Sequence, residues 1–134
     1  MSAADYGRTL SGLSLNLIVR DVARSIPFYA EVLGLRLLYS DEDFATFEGD
    51  RVRLQLHADH TYASMPWAAR LRDDSRRGLG AEIRILGIDP DTAEKRARDG
   101  GFTVLVPVRD WPHGWRDCVL EDPDGYTFAV GVSL

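Results

Sequence analysis

Three histidines, three tryptophans and a single cysteine carry most of the chemistry open to this sequence. His57 and Glu82 are of the types that serve as general bases for proton abstraction. Cys118 has no neighbouring His or Lys to mark an activated thiolate, and it reads as an inert strand residue. One cysteine allows neither an intramolecular disulfide nor a cysteine-based zinc site. Gly78-Leu79-Gly80 lacks a third glycine and precedes a strand, so it is not a dinucleotide loop, and no nucleophile elbow is present. Trp111 and Trp115 bracket Pro112-His113-Gly114. Large rigid rings of this kind offer contact area to a planar ligand at low entropic cost. His113 itself is as compatible with solvent as with a role in binding.

These residues have to be positioned by short elements. Residues 13–20 alternate: Leu13, Leu15, Leu17 and Val19 face one way, and Ser14, Asn16 and Ile18 the other, which predicts a strand with one apolar face. Asp21 is a helix N-cap, Val22, Ile26, Tyr29, Val32 and Leu33 recur at helical spacing, and Gly34 closes the helix. Pro27 removes one backbone donor, so the regular helix is expected to begin near Ser25. Residues 35–40 read as a strand, and 44–58 as a hairpin turning at 48–50. In its second strand Val52, Leu54 and Leu56 share one face, and Arg53, Gln55 and His57 the other. The pattern restarts at 81–86 with a strand, a helix opened by Asp89-Pro90 and closed by Gly100-Gly101, and three more strands. The last two are joined by Asp122-Pro123-Asp124-Gly125.

The expected organisation is therefore an arm at 1–12, a βαβββ module at 13–58, a linker at 59–78 and a second βαβββ module at 79–134. The fold class is α+β, with cupped mixed sheets around a cavity. Ser14, Asn16, Gln55, His57, Glu82, Arg84 and Ala129 lie opposite the helix-facing sets. Phe44 and Phe47 fall on opposite faces of a regular strand, and Phe44 is expected to face the cavity. Trp67 either covers the cavity mouth or plugs the junction between modules. Phe28 and Tyr29 are expected in the core, the Asp122–Gly125 turn serves the backbone, and Arg70, Arg72, Arg76 and Arg77 form a solvated face. Glu82 and Arg84 share a strand face, where Glu82 pairs with Arg53 if its charge is structural.

Composition narrows the function classes. The 134 residues carry 16 Lys+Arg against 21 Asp+Glu, a net charge of -5. That balance argues against nucleic-acid binding, which needs clustered positive charge. No apolar run approaches the roughly 18 residues of a membrane span, and the N-terminus lacks an apolar signal core. A reducing cytoplasm is the expected compartment.

Two passages carry a family signature: VRDVARSIPFYAEVLGL at 19–35 and PHGWRDCVLEDPDGYTFAV at 112–130, supported by the helix from Asp89 to Gly101. Together they resemble the vicinal oxygen chelate superfamily, which includes glyoxalase I, extradiol dioxygenases and the fosfomycin- and bleomycin-resistance proteins. The resemblance implies paired βαβββ modules, a homodimer and a cavity on each cupped sheet. It also implies metal-ligand positions at Ser14, His57, Glu82 and Ala129. Ser14 is a weak neutral donor and Ala129 has none, whereas a catalytic metal takes three protein ligands. No metal and no cofactor are therefore expected, with His57 and Glu82 as residual candidates.

Within that family the similarity of residues 33–56 is to the bleomycin-resistance proteins, which bind an antibiotic without altering it. The resulting expectation is a metal-free homodimer that sequesters a small hydrophobic or aromatic natural product. Tyr39, Phe44, Trp67, Trp111 and Trp115 would supply ring faces, and Arg53, Gln55, His57 and His113 polar contacts. His113 stands where the family's loop commonly has Trp. The rivals are a metal-dependent lyase, isomerase or dioxygenase using His57, Glu82 and a third ligand such as His60 or His113, a metal-independent enzyme with His57 or Glu82 as base, and an orphan module with a filled cavity.

Overall fold

A computed structural model describes residues 2–72 and 76–134. Its strands form two four-stranded sheets of identical topology. The first comprises β1 (Leu15–Val19), β2 (Arg36–Ser40), β3 (Phe44–Gly49) and β4 (Val52–Ala58), in the order β1-β4-β3-β2. The second comprises β5 (Glu82–Leu86), β6 (Thr103–Asp110), β7 (Trp115–Glu121) and β8 (Thr127–Ser133), in the order β5-β8-β7-β6. In each sheet one pair is parallel and the others antiparallel.

Among the described residues three α-helices accompany them: α1 (Ala3–Arg8), α2 (Val22–Pro27) and α3 (Pro90–Asp99). The arm expected at 1–12 is thus partly helical. Ser2 and Asp5 cap α1 reciprocally, Ser2 Oγ accepting from the Asp5 amide at 3.0 Å and Asp5 accepting from the Ser2 amide at 3.3 Å. Both satisfy amides that the first helical turn leaves without partners. Helix α2 starts at Val22 and not at Ser25, because Asp21 accepts from the Arg24 amide at 3.1 Å and Pro27 falls in its last turn. The chain then widens into a π-helical turn, Phe28–Val32, with Leu33 N–H donating to Phe28 C=O at 3.0 Å. Such a turn absorbs the irregularity that proline imposes.

The helical segment lies between the sheets. Tyr29 meets Phe47 of the first sheet at 5.5 Å in a tilted pair and Phe128 of the second edge-on at 5.6 Å. Phe28 meets Phe128 and Phe102, each at 5.5 Å. Phe28, Tyr29, Phe47 and Phe128 are wholly buried, each contributing about 1.5–3 kcal/mol of apolar burial. Each sheet turns its other face outward.

The turn Asp122–Gly125 joins the modules and does more than serve its own backbone. Asp122 Oδ2 accepts from the Tyr29 hydroxyl at 2.6 Å, while Oδ1 accepts from the amides of Asp124 and Tyr126 at 3.0 and 2.8 Å. Arg20 donates to Asp124 at 2.9 Å. Gly125 is needed twice over. Its φ is +99°, and a Cβ there would come within 2.7 Å of Arg76 Cβ.

Arg77 departs from the expected solvated face. It is 9% exposed and donates to Asp59 at 2.6 and 2.8 Å and to the carbonyls of Ile18 and Leu71 at 2.9 Å. Burial is tolerated because its donors find a carboxylate and two carbonyls. Arg76 pairs with Glu121, whereas Arg70 and Arg72 are exposed.

Tyr29→Phe removes one donor to a buried carboxylate and is expected to cost about 1–3 kcal/mol, read as a lower urea midpoint. An unchanged midpoint contradicts it. Burial raises the Asp122 carboxyl above its ordinary value. The native state therefore keeps that proton longer, and stability falls as pH rises from the unfolded carboxylate value through the folded one. Asp122→Asn flattens that slope.

Candidate functional site

The outward face of the first sheet gathers the residues with chemistry. On β3 and β4 the pairs Phe44–His57, Thr46–Gln55 and Glu48–Arg53 lie side by side. Phe44 faces out and Phe47 lies in the core, as the alternation requires. Tyr39 reaches the same face through an irregularity in β2. Leu37 pairs with Phe47 but Tyr39 with Thr46, so Leu38 is an extra residue. Without that bulge Tyr39 would turn toward the helices.

The rings form a continuous row. Tyr39 meets Phe44 at 5.1 Å, Phe44 stacks on His57 at 5.7 Å with 15° between planes, His57 meets Tyr62 edge-on at 5.7 Å, and Tyr62 meets Trp67 at 5.4 Å. At its β2 end Tyr39 stays 48% and the neighbouring Leu38 40% exposed. Beside it is a cavity of about 720 Å³, lined by Leu38, Tyr39, Asp41, Phe44, Thr46, Glu48 and Arg53 from the sheet and by Ser2, Ala3, Tyr6 and Thr9 from α1 and its ends. A smaller polar cleft of about 450 Å³ lies elsewhere, between Arg24, Arg76, Gly101, Thr103 and Glu121.

The polar residues are mostly committed. Gln55 donates to Ser14 Oγ at 2.8 Å and is nearly buried. Arg53 pairs with Glu48 at 3.5 Å, and Glu48 also accepts from Arg36 at 2.9 Å. The expected Glu82–Arg53 pair does not form, because β4 and β5 belong to different sheets. Glu82 lies 3.9 Å from Arg84 instead. His57 Nδ1 is 2.5 Å from Asn16 Oδ1, and Asn16 Nδ2 donates to the Tyr62 hydroxyl oxygen at 2.7 Å. Burial lowers the His57 pKa. Cys118 is buried, donates to the Pro90 carbonyl at 3.7 Å, and is pushed up to about 12 by burial.

The remaining candidates belong to the second sheet. Trp111 Nε1 donates to Asp117 at 2.6 Å, Arg109 covers the Trp111 ring at 3.4 Å, and His113 lies 5.7 Å from that ring. Trp115 shares the outward face with Asp117 by strand alternation. The chain thus brings Tyr39, Phe44, Arg53, Gln55, His57 and Trp67 to one sheet face, and sets Trp111, His113 and Trp115 on the other sheet. Two contributors were missed by sequence reasoning. Tyr62 sits in a segment without periodicity. Tyr6 lies on α1, whose Ser2-x-x-Asp5 capping spacing was the available signal.

A model of the Glyoxalase/Bleomycin resistance protein/Dioxygenase superfamily matches residues 13–130. The chain belongs to this superfamily. No curated protein sequence matches it. Similar solved structures include a superfamily enzyme from Burkholderia phytofirmans PsJN, with a TM-score of 0.74 and 20% identity over 90% of this chain and 97% of that one. A glyoxalase/bleomycin resistance protein/dioxygenase from Nocardioides gives 0.66 and 24% over 98% and 92%. A lactoylglutathione lyase from Agrobacterium tumefaciens gives 0.63 and 19% over 91% and 92%. At these identities the likeness is one of fold.

The superfamily's metal enzymes invite a test of the donor set. Ser14 is hydrogen-bonded to Gln55, and Ala129 presents a methyl group between Arg84 and Val119 on its neighbouring strands. His60 is held by Asp43 at 2.6 Å beyond β4, and His113 sits in the β6–β7 turn. Among the described residues no three His, Cys, Asp or Glu side chains converge. This set does not fit a catalytic divalent ion, which takes three strong protein ligands.

Because burial disfavours its charged form, His57 is expected to titrate below the ordinary imidazole value in an NMR pH series. The unfolded state then gains the proton first as pH falls. Stability accordingly drops between the unfolded value and the lower folded one. A His57 pKa at or above the ordinary value contradicts this.

Proposed function

We propose that the protein binds a small planar, apolar or aromatic compound on the outward face of its first sheet and holds it chemically unchanged. The observation that carries this reading is the row Tyr39–Phe44–His57–Tyr62–Trp67 beside a cavity of about 720 Å³. Ring centroids 5.1–5.7 Å apart are at stacking distance, and such faces recognise planar systems with few polar contacts. The volume lies within the range of small-molecule pockets. The net charge of -5 favours a neutral or cationic ligand over an anionic one. An antibiotic held for self-resistance is the natural-product class this reading favours, with a reducing cytoplasm as its compartment.

The functional unit in this reading is a homodimer. Within one chain the helices separate the sheets, and each outward face stays open. Leu38 and Tyr39 are exposed on the first sheet, and Leu86 and Leu105 are 49% and 46% exposed on the second. Seating the second sheet of one copy over the first sheet of another covers both sets. It also brings Trp111 and Trp115 of one copy toward the ring row of the other. No nucleic acid or membrane enters this reading, and no helix among the described residues is long and apolar enough to span a membrane.

Native mass spectrometry against neutral and cationic polycyclic aromatics is expected to retain at least one compound per sheet face on a dimer and to release it at its original mass. Phe44→Ala is expected to weaken retention about tenfold, the equivalent of about 1.4 kcal/mol, consistent with losing one stacked ring. A released compound of altered mass, or retention indifferent to Phe44, overturns the reading.

A further inference from the structure

We propose that His57 is a specificity-determining residue that reads a hydroxyl: its Nε2 accepts a hydrogen bond from a phenolic or enolic O–H on the planar ligand, and Asn16 positions it to do so. The inference rests on the aromatic platform proposed above and narrows its ligands to hydroxyl-bearing planar compounds.

The geometry begins at Asn16, whose two amide atoms face different partners. Nδ2 donates to the Tyr62 hydroxyl oxygen at 2.7 Å, which leaves Oδ1 turned to the imidazole at 2.5 Å. A carbonyl oxygen only accepts, so the His57 proton resides on Nδ1. In that tautomer Nε2 bears a lone pair and can only accept. Among the described residues Nε2 has no hydrogen-bond partner. The ring is stacked nearly parallel on Phe44, at 15°, and held edge-on by Tyr62. It is therefore fixed in orientation as well as in tautomer.

Phe44 lines the cavity and His57 is its direct partner across β3 and β4. A planar ligand lying against Phe44 and Tyr39 brings its edge to the imidazole. A hydroxyl there pairs with the lone pair on Nε2. An ether oxygen or a carbonyl in its place sets lone pair against lone pair. Discrimination arises because the site's own polar atom is left unpaired by the wrong ligand.

The test compares 2-naphthol with 2-methoxynaphthalene, which share a ring system and differ in the donor. Titration calorimetry on the wild-type protein is expected to show the naphthol bound about tenfold more tightly, as one added hydrogen bond allows. His57→Phe keeps a ring on Phe44 and removes the acceptor. Its preference, read as the ratio of the two probes' affinities for the same variant, is expected to fall to about one. Asn16→Leu is expected to lower the preference and to shift the His57 ¹⁵N pattern from a single Nδ1–H tautomer to a mixture, which a merely structural role would not do. Equal binding of both probes to the wild type, or a preference that survives His57→Phe, overturns the role of His57 and leaves the platform standing. Binding of neither probe overturns the platform, and the inference with it. Should His57→Phe fail to fold, the wild-type ¹⁵N spectrum decides. The Nε2 resonance moves with the naphthol and not with the ether, and an unmoved resonance overturns the proposal.

Discussion

The hydrogen bond from the Tyr29 hydroxyl to Asp122, 2.6 Å long and buried, sets the architecture. It ties the π-helical turn of the first module to the Asp122–Gly125 turn of the second. Burial holds the Tyr29 hydroxyl protonated and so a donor. Asp122 spends its other oxygen on two amides of its own turn, so that both carboxyl oxygens are hydrogen-bonded in an apolar surrounding. With that joint made, the rings of Phe28 and Tyr29 are committed to the space between Phe47 and Phe128. The helical side of each sheet becomes the interior and the opposite side becomes the surface. Everything available for binding follows from that division.

A second constraint acts on the outward face. An ordinary β2 would present Tyr39 to the helices, and the extra residue at Leu38 reverses it. The face then carries Tyr39, Phe44 and His57 in one row, continued by Tyr62 and Trp67 from the segment after β4. The polar atoms beneath are spent on one another, Gln55 on Ser14 and Arg53 on Glu48. Between them the ring faces stand open, and among the described residues His57 Nε2 has no hydrogen-bond partner. Such a surface is suited to stacking and poor in the strong donors that metal chemistry in this superfamily draws on. The tie between Asn16 and His57 orients one polar group of the row, as the bond from Tyr39 to Asp41 orients another.

Much of this was legible in the sequence because it rests on period. The alternation in residues 13–20 and 52–58 separates Leu54 and Leu56 from Gln55 and His57, and the restart near residue 81 announces the second sheet. The parts that were not legible depend on single residues or on tertiary partners. Pro27 suggested a late helix start, yet the Asp21 cap holds the early turn and the strain appears after Pro27 as a π turn. The four arginines near residue 75 read alike, and only the fold shows that Arg77 has Asp59 and two carbonyls to meet while Arg70 and Arg72 have water. Tyr62 carries no pattern at all. It matters because the 3₁₀ turn after β4 brings it to Asn16. The alanine and serine at positions 129 and 14 were readable as missing donors, and the structure adds what each faces.

The outward face of the first sheet is proposed above as a platform for planar molecules. Amide chemical-shift mapping with 2-methoxynaphthalene, which offers His57 no donor, tests it most directly. Shifts concentrated at Tyr39, Phe44, Thr46 and His57 are expected. Shifts concentrated instead at Arg24, Gly101 and Thr103, around the polar cleft on the helical side, would contradict it.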